Sequence, residues 1–128
     1  MIDHVGFAIS DLEKSSAFYA AALAPLGIAE LMRVTPEQTG AGTAIGYGKD
    51  NKPFFWIGDN ERVGQGTHIA FAVDSRAEVD AFHAAALAAG GTDHGAPGIR
   101  PHYHPNYYGA FVLDPDGQNI EAVCHRPE

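Results

Sequence analysis

The chain has 128 residues, a formal net charge of −8 and an apolar fraction of 45 %, the make-up of a globular protein with enough chain for one compact core. The acidic balance speaks against nucleic acid and anionic membrane surfaces as partners, because both require clustered Lys and Arg. A lone cysteine, Cys124, rules out an internal disulfide, no apolar run reaches the ~20 residues of a bilayer span, and Met-Ile-Asp-His at the start lacks a signal-peptide pattern, so a cytoplasmic location is expected.

Residues 3–9 alternate. Val5, Phe7 and Ile9 share one face, and His4, Gly6 and Ala8 share the other, which predicts a strand whose large side chains pack on a layer behind it. Ser10-Asp11-Leu12-Glu13 reads as a capping box. The helix that follows runs to about Pro25 and stops at Gly27, with Phe18 and Ala22 on its buried side. Residues 28–35, 43–48 and 53–58 read as three short strands separated by Pro, Gly, Asp and Asn. This is a βαβββ unit. A polar connection from Gly58 to Gly66 leads to a second unit starting at Thr67.

There Ile69, Phe71 and Val73 oppose His68, Ala70 and Ala72. Asp74 or Ser75 caps a helix ending near Gly90-Gly91, and strands follow at about 109–113 and 118–124, joined by the turn Asp114-Pro115-Asp116-Gly117. The stretch from Thr92 to Tyr108, rich in Gly, Pro, His and Tyr, reads as a long loop, and long loops in small domains often carry function.

The two units are copies. His-Val-Gly-Phe-Ala-Ile at 4–9 returns as His-Ile-Ala-Phe-Ala-Val at 68–73, an offset of 68 − 4 = 64 residues, and Phe18 and Gly27 match Phe82 and Gly91 at the same spacing. Two copies of one unit predict a pseudo-two-fold with copied residues facing each other. In each copy the histidine opens the first strand on its small-residue face. Glu121, between Ile120 and Ala122 in the last strand, alternates onto the face opposite those two, where an unpaired carboxylate is costly to bury. Two inward histidines and one inward carboxylate form the donor set of a facial triad with open coordination positions. His4, His68 and Glu121 are therefore the candidate metal ligands.

A second concentration of functional groups is the run from Arg100 to Tyr108, with Arg100, His102, Tyr103, His104, Tyr107 and Tyr108. It reads either as a wall closing over a ligand, with phenol donors and Arg100 pairing with an anion, or as a Pro-stiffened cover for a sheet edge. His102, His104 and Tyr108 are candidates for proton transfer. Arg100, Tyr103 and Tyr107 are candidates for ligand binding, with Phe54 and Trp56 as an apolar wall. His83 and His94 are expected to face solvent. Cys124 and His125 fall on opposite faces of the last strand and are not expected to share a metal.

Asp-His-Val-Gly-Phe at 3–7, Phe18-Tyr19, Thr-His-Ile-Ala-Phe at 67–71 and Leu-Asp-Pro-Asp-Gly-Gln-Asn-Ile-Glu at 113–121 resemble the vicinal oxygen chelate superfamily. Its members include glyoxalase I, bleomycin- and fosfomycin-resistance proteins, methylmalonyl-CoA epimerase and extradiol dioxygenases. The resemblance covers nearly the whole chain. It implies an α+β fold in which two tandem βαβββ modules, 1–62 and 67–128, form a cupped mixed sheet around a central cleft within one domain, 1–128. It also implies that His4, His68 and Glu121 stand at ligand positions.

Many members add a fourth ligand, usually Glu, from the last strand of the first module. The offset gives 121 − 64 = 57, so Ile57 stands there, or Trp56 after a one-residue slip; neither binds a metal. This departs from the four-ligand glyoxalase I and epimerase sites and is compatible with the two-His-one-Glu site of the extradiol dioxygenases. His104 lies near where those dioxygenases carry a further histidine, while Phe111 occupies the place of their active-site tyrosine. Two functions follow as expectations. One is a glyoxalase/dioxygenase-like metalloenzyme, a lyase or dioxygenase, using a divalent Fe, Mn, Ni or Zn ion on a small oxygen-bearing substrate. The other is a metal-free, drug-sequestering binding protein of the bleomycin-resistance kind. The expected partners are a small molecule and a second copy in a homodimer, with the cleft formed within one chain or by module exchange.

Overall fold

A computed structural model describes the backbone of residues 1–128 and every side chain except that of Thr39. Two four-stranded mixed sheets carry helices on one side each. The first holds β1 (Val5–Ala8), β2 (Ala29–Val34), β3 (Ala44–Lys49) and β4 (Lys52–Gly58) in the order β1-β4-β3-β2. The second holds β5 (His68–Ala72), β6 (Thr92–Ile99), β7 (Tyr108–Leu113) and β8 (Asn119–Cys124) in the order β5-β8-β7-β6. β1 runs parallel to β4 and β5 parallel to β8, while the other pairs are antiparallel. The fold is α+β, with two matching modules in tandem.

The parallel pairs need crossover helices, and α1 (Leu12–Leu23) and α3 (Arg76–Ala88) supply them. Asp11, rather than Ser10, caps α1 by accepting from the Lys14 N–H at 3.0 Å. Ser10 is drawn away to Asp116. After Leu23 the chain tightens into a 3₁₀ turn, Ala24–Leu26, and Gly27 ends it at φ 73°, the left-handed conformation that glycine adopts without a Cβ penalty. Ser75 caps α3 through the Glu78 N–H at 3.2 Å. A short helix, α2 (Pro36–Thr39), interrupts the β2–β3 connection.

The predicted loop from Thr92 to Tyr108 is instead a strand, β6, followed by a shorter loop. β6 pairs with β7 with register shifts between Asp93 and Gly95 and between Gly95 and Gly98. Those bulges, with Pro97, break the two-residue alternation by which a strand is recognised. The true loop, 100–107, is held by the Arg100 N–H donating to the Tyr107 carbonyl at 2.7 Å and the Tyr107 N–H to the His104 carbonyl at 3.1 Å.

One apolar layer joins the modules. Phe18, Tyr19, Ala22, Tyr47, Phe55, Phe71, Val79 and Phe82 all belong to it. Phe55 and Phe71, one from each sheet, meet edge to face at 5.4 Å, a favoured aromatic geometry. The Asp114–Gly117 turn fastens this layer. Asp114 is 4 % exposed. Its Oδ2 accepts from the Tyr19 hydroxyl on α1 at 2.5 Å, and its Oδ1 accepts from the Asp116 and Gln118 N–H groups at 2.9 Å each. Asp116 accepts from the N–H and hydroxyl of Ser10. The most family-specific stretch of the chain is thus a clasp between the second module's hairpin and the first module's helix. Burial pushes the Asp114 carboxyl up, and its hydrogen bonds from Tyr19 and the backbone oppose that rise.

Tyr47 is fully buried, and among the described residues its hydroxyl has no hydrogen-bond partner. Burial, aided by Glu30 and opposed by Arg33, pushes its phenol up to about 12. The folded state therefore holds this proton more tightly than the unfolded chain. The corresponding stability is complete below pH ~10 and is lost as pH rises through the folded value. Tyr47→Phe is expected to be as stable as the parent or slightly more stable at neutral pH, because an unpaired buried hydroxyl is removed. Its urea midpoint should fall less steeply than the parent's between pH 10 and 12. Equal slopes would contradict the assignment.

Candidate metal and ligand site

The open face of the second sheet gathers the polar and titratable side chains predicted for the site. Register places Ala70 beside Glu121 and Glu121 beside Phe111, so His68, Asn119, Glu121 and Phe111 project from one side, away from α3. Glu121 is 0 % exposed, whereas the His68 side chain is 48 % exposed. His68 Nε2 lies 2.8 Å from Glu121 Oε2, and the Tyr107 hydroxyl donates to Glu121 Oε1. Gly109 makes room for the carboxylate, since a Cβ there would lie 3.1 Å from Glu121 Oε1. The Tyr107 phenol is raised far above its ordinary range by burial first, then by its hydrogen bond to Glu121 and the charge of that carboxylate. Tyr107 therefore keeps its proton and acts as a fixed donor.

An aromatic rim surrounds the pair. His68 lies 6.1 Å from the Phe111 ring centroid, and the Arg100 guanidinium carbon lies 5.5 Å from that same centroid. Tyr107 packs at 5.1 Å on both Tyr103 and His125, His102 lies 4.2 Å from Tyr103, and His104 lies 5.6 Å from His125. The His104 Nδ1 accepts from the Asn106 N–H at 3.0 Å. With Nδ1 so engaged, Nε2 is the other ring nitrogen.

The first sheet presents a different face. Gly6 is registered to Trp56, as Ala70 is to Glu121. Trp56, and not Ile57, therefore stands at the place equivalent to Glu121. Its indole lies over Gly46, where a Cβ would come within 2.8 Å of the ring. Ile57 turns into the core and is 1 % exposed. His4 is exposed, and its Nδ1 pairs at 2.8 Å with Asp3, which also takes the Lys52 ammonium at 2.7 Å. Among the described residues no three His, Cys, Asp or Glu groups converge on one point. The structure thus brings His68 and Glu121 together and leaves His4 on the other module. There it lines a cavity of about 430 Å³ between the edges of β1 and β5, with Phe54, Phe55, Lys49 and Ile69–Val73.

The remaining sequence candidates divide. Arg100, Tyr103 and Tyr107 reach the His68–Glu121 face. His102 and His104 sit on the exposed 100–107 loop behind Tyr103 and His125. Tyr108 turns the other way, its hydroxyl donating to Asp80 of α3 at 2.6 Å with Arg76 stacked on its ring at 5.0 Å. His83 bonds Asp93 at 2.9 Å. Cys124 is buried on the helix side of β8. Asn119, registered beside His68, was not among the sequence candidates; its spacing of two from Glu121, which puts both on one face, was the signal that pointed to it.

The glyoxalase/bleomycin resistance protein/dioxygenase superfamily profile matches residues 1–122. The chain belongs to this superfamily. A glyoxalase/bleomycin resistance protein from Albidiferax ferrireducens T118 is 34 % identical, with 98 % of each chain covered and a TM-score of 0.76. A glyoxylase/bleomycin resistance protein/dioxygenase domain from Frankia sp. EAN1pec has a TM-score of 0.75 at 18 % identity, covering 98 % of each chain. Glyoxalase I from Zea mays has a TM-score of 0.70 at 23 % identity, covering 99 % of this chain and 45 % of the maize chain. The last two likenesses concern the fold alone. No curated protein matches the sequence. No helix is long and apolar enough to cross a membrane.

Superfamily members commonly use divalent metals, and the donor chemistry here can be tested against one. Two cis ligands at ~2.1 Å from one ion stand about 3 Å apart, close to the 2.8 Å between His68 Nε2 and Glu121 Oε2. Imidazole and carboxylate both suit borderline divalent ions. Tyr107 holds the second carboxylate oxygen, as outer hydrogen bonds to metal-binding carboxylates commonly do. The pair fits two positions of a coordination shell, and Trp56 supplies no donor from the first module.

Proposed function

We propose that this superfamily member binds a small oxygen-bearing ligand on the open face of its second sheet through one divalent cation held by His68 and Glu121. The third protein ligand is His4, presented from the β1 edge of the same chain or of a second copy. The observation that carries this reading is Glu121. Its carboxylate is fully buried, and among the described residues its only ion pair is to His68. A buried carboxylate without a full counter-charge is costly, and a cation beside His68 removes that cost.

Bound there, a divalent ion supplies Lewis acidity to a ligand oxygen. The chain's own residues do the rest. Tyr107 fixes the Glu121 carboxylate by donating to Oε1. Phe111 lies beside the His68 ring as an apolar neighbour. His102 or the Nε2 of His104, both on the 100–107 loop, exchanges protons with a ligand held at the rim. These features support a glyoxalase/dioxygenase-like metalloprotein. Trp56 at the place equivalent to Glu121 favours one alternative, a metal-free binding protein that stacks an aromatic ligand on that indole.

Metal analysis of untagged protein separates the two. About one Fe, Mn, Ni or Zn ion per chain is expected, removable by chelator and restored on titration. Affinity should fall as acid protonates the imidazoles, since coordination needs neutral nitrogen. His4→Ala should weaken binding without abolishing it, because two donors stay in place. No binding at neutral pH for any of the four ions would leave the metal-free alternative. Sedimentation of metal-loaded and metal-free protein then shows whether His4 arrives from a second copy.

A further inference from the structure

A recess of about 390 Å³ is lined by His94, Gly95, Arg100, Tyr103, Phe111 and Asn119, the last of these paired in register with His68. Its lining includes a guanidinium, an imidazole, a phenol and a carboxamide, and no carboxylate, although the chain carries 16 Asp and Glu against 8 Lys and Arg. The nearest acids on adjoining elements are engaged elsewhere. Asp93 is bonded to His83 and to the Gly95 N–H at 2.9 and 3.1 Å, and Glu121 is bonded to His68 and Tyr107.

Arg100 is held in place. Its Nη1 donates to the Gly98 carbonyl and its Nη2 to the Ala96 carbonyl, both at 2.8 Å, and its plane lies over Phe111. Gly95 and Gly98 permit this curl, since a Cβ at either would come within 3.2 Å of the guanidinium. Those two bonds, to the Gly98 and Ala96 carbonyls, engage two of the five N–H groups, and among the described residues no ion pair to a carboxylate is seen. A charged, pre-oriented guanidinium with free donors is suited to a bidentate oxyanion. Asn119 is the independent sign. Its Oδ1 is buried without a hydrogen-bond partner among the described residues, and such atoms call for a ligand or water. Toward an oxyanion the amide acts through its Nδ2–H donors.

We propose that this recess is an anion subsite, so that the ligand of the neighbouring centre is a small oxyanion, carboxylate or phosphate, gripped by Arg100 and the Asn119 amide donors. The inference rests on the proposed site at His68 and Glu121, yet it is tested without metal and so fails separately. Chelator-treated protein is titrated with sodium lactate and, in parallel, inorganic phosphate, following the Arg100 Nε–H and Asn119 amide signals by NMR. Saturable shifts of both signals are expected. The Asn119 shift should weaken roughly tenfold or more in Arg100→Gln, and both shifts should persist in Glu121→Gln. Arg100→Lys keeps the charge and should retain part of the binding, which separates lost recognition from a loosened β6. Saturation by lactate alone assigns a carboxylate, and by phosphate alone a phosphoryl group. No saturable shift with either probe, or an Asn119 shift of equal affinity in Arg100→Gln, would overturn the subsite.

Discussion

Glu121→Gln lowers divalent-metal affinity about a hundredfold or more while the protein stays folded. The substitution keeps the size of the side chain and an acceptor for Tyr107, but it removes the negative charge and the second anionic oxygen. A loss of that size corresponds to about 3 kcal/mol, reasonable for replacing a carboxylate ligand of a divalent ion by a weak neutral one. The fold should survive because the core is built by the opposite strand faces, where Ile120, Ala122 and Cys124 pack. In the absence of metal the variant should be no less stable than the parent, since a buried charge is gone. Calorimetric metal titration and a thermal melt of the same samples check both halves.

Asp114→Ala is expected to be the most destabilising polar substitution in the chain, at about 3–5 kcal/mol, because three donors lose their acceptor together and two of them are backbone groups. Tyr19→Phe removes one of those bonds and should cost about 1 kcal/mol. Because burial raises the Asp114 carboxyl, the native state binds that proton more tightly than the unfolded chain. This group's contribution therefore grows as pH falls through the folded value toward the unfolded one, the reverse of a salt-bridged acid. Urea melts of Asp114→Ala and the parent between pH 7 and 4 measure it. A loss below about 1 kcal/mol would mean that the turn folds without the clasp.

The histidine repeat and the strand alternation carry most of the fold, because both are periodic and survive in a single sequence. β6 was hidden because Gly95 and Gly98 shift its register twice. The fourth-ligand position was off by one because the two modules differ in spacing. From first strand to last strand the register spans 56 − 6 = 50 residues in the first module and 121 − 70 = 51 in the second, so Trp56 and not Ile57 mirrors Glu121. Within the site, Glu121's face followed from its neighbours. Which tyrosine would reach it did not, because loop direction depends on hydrogen bonds such as Arg100 N–H to the Tyr107 carbonyl. Tyr108 enters β7 one residue later and lands on the helix side. The Asp114 clasp was invisible beyond its turn, since its partner Tyr19 is 95 residues away in sequence.

Anomalous diffraction from crystals grown with Mn²⁺ or Zn²⁺, collected at the metal edge, tests the His68–Glu121 centre most directly. One peak about 2.1 Å from both His68 Nε2 and Glu121 Oε2, absent in crystals of Glu121→Gln, is the expected result. A map with no peak there, or with its only peaks at other residues, would contradict the metal assignment.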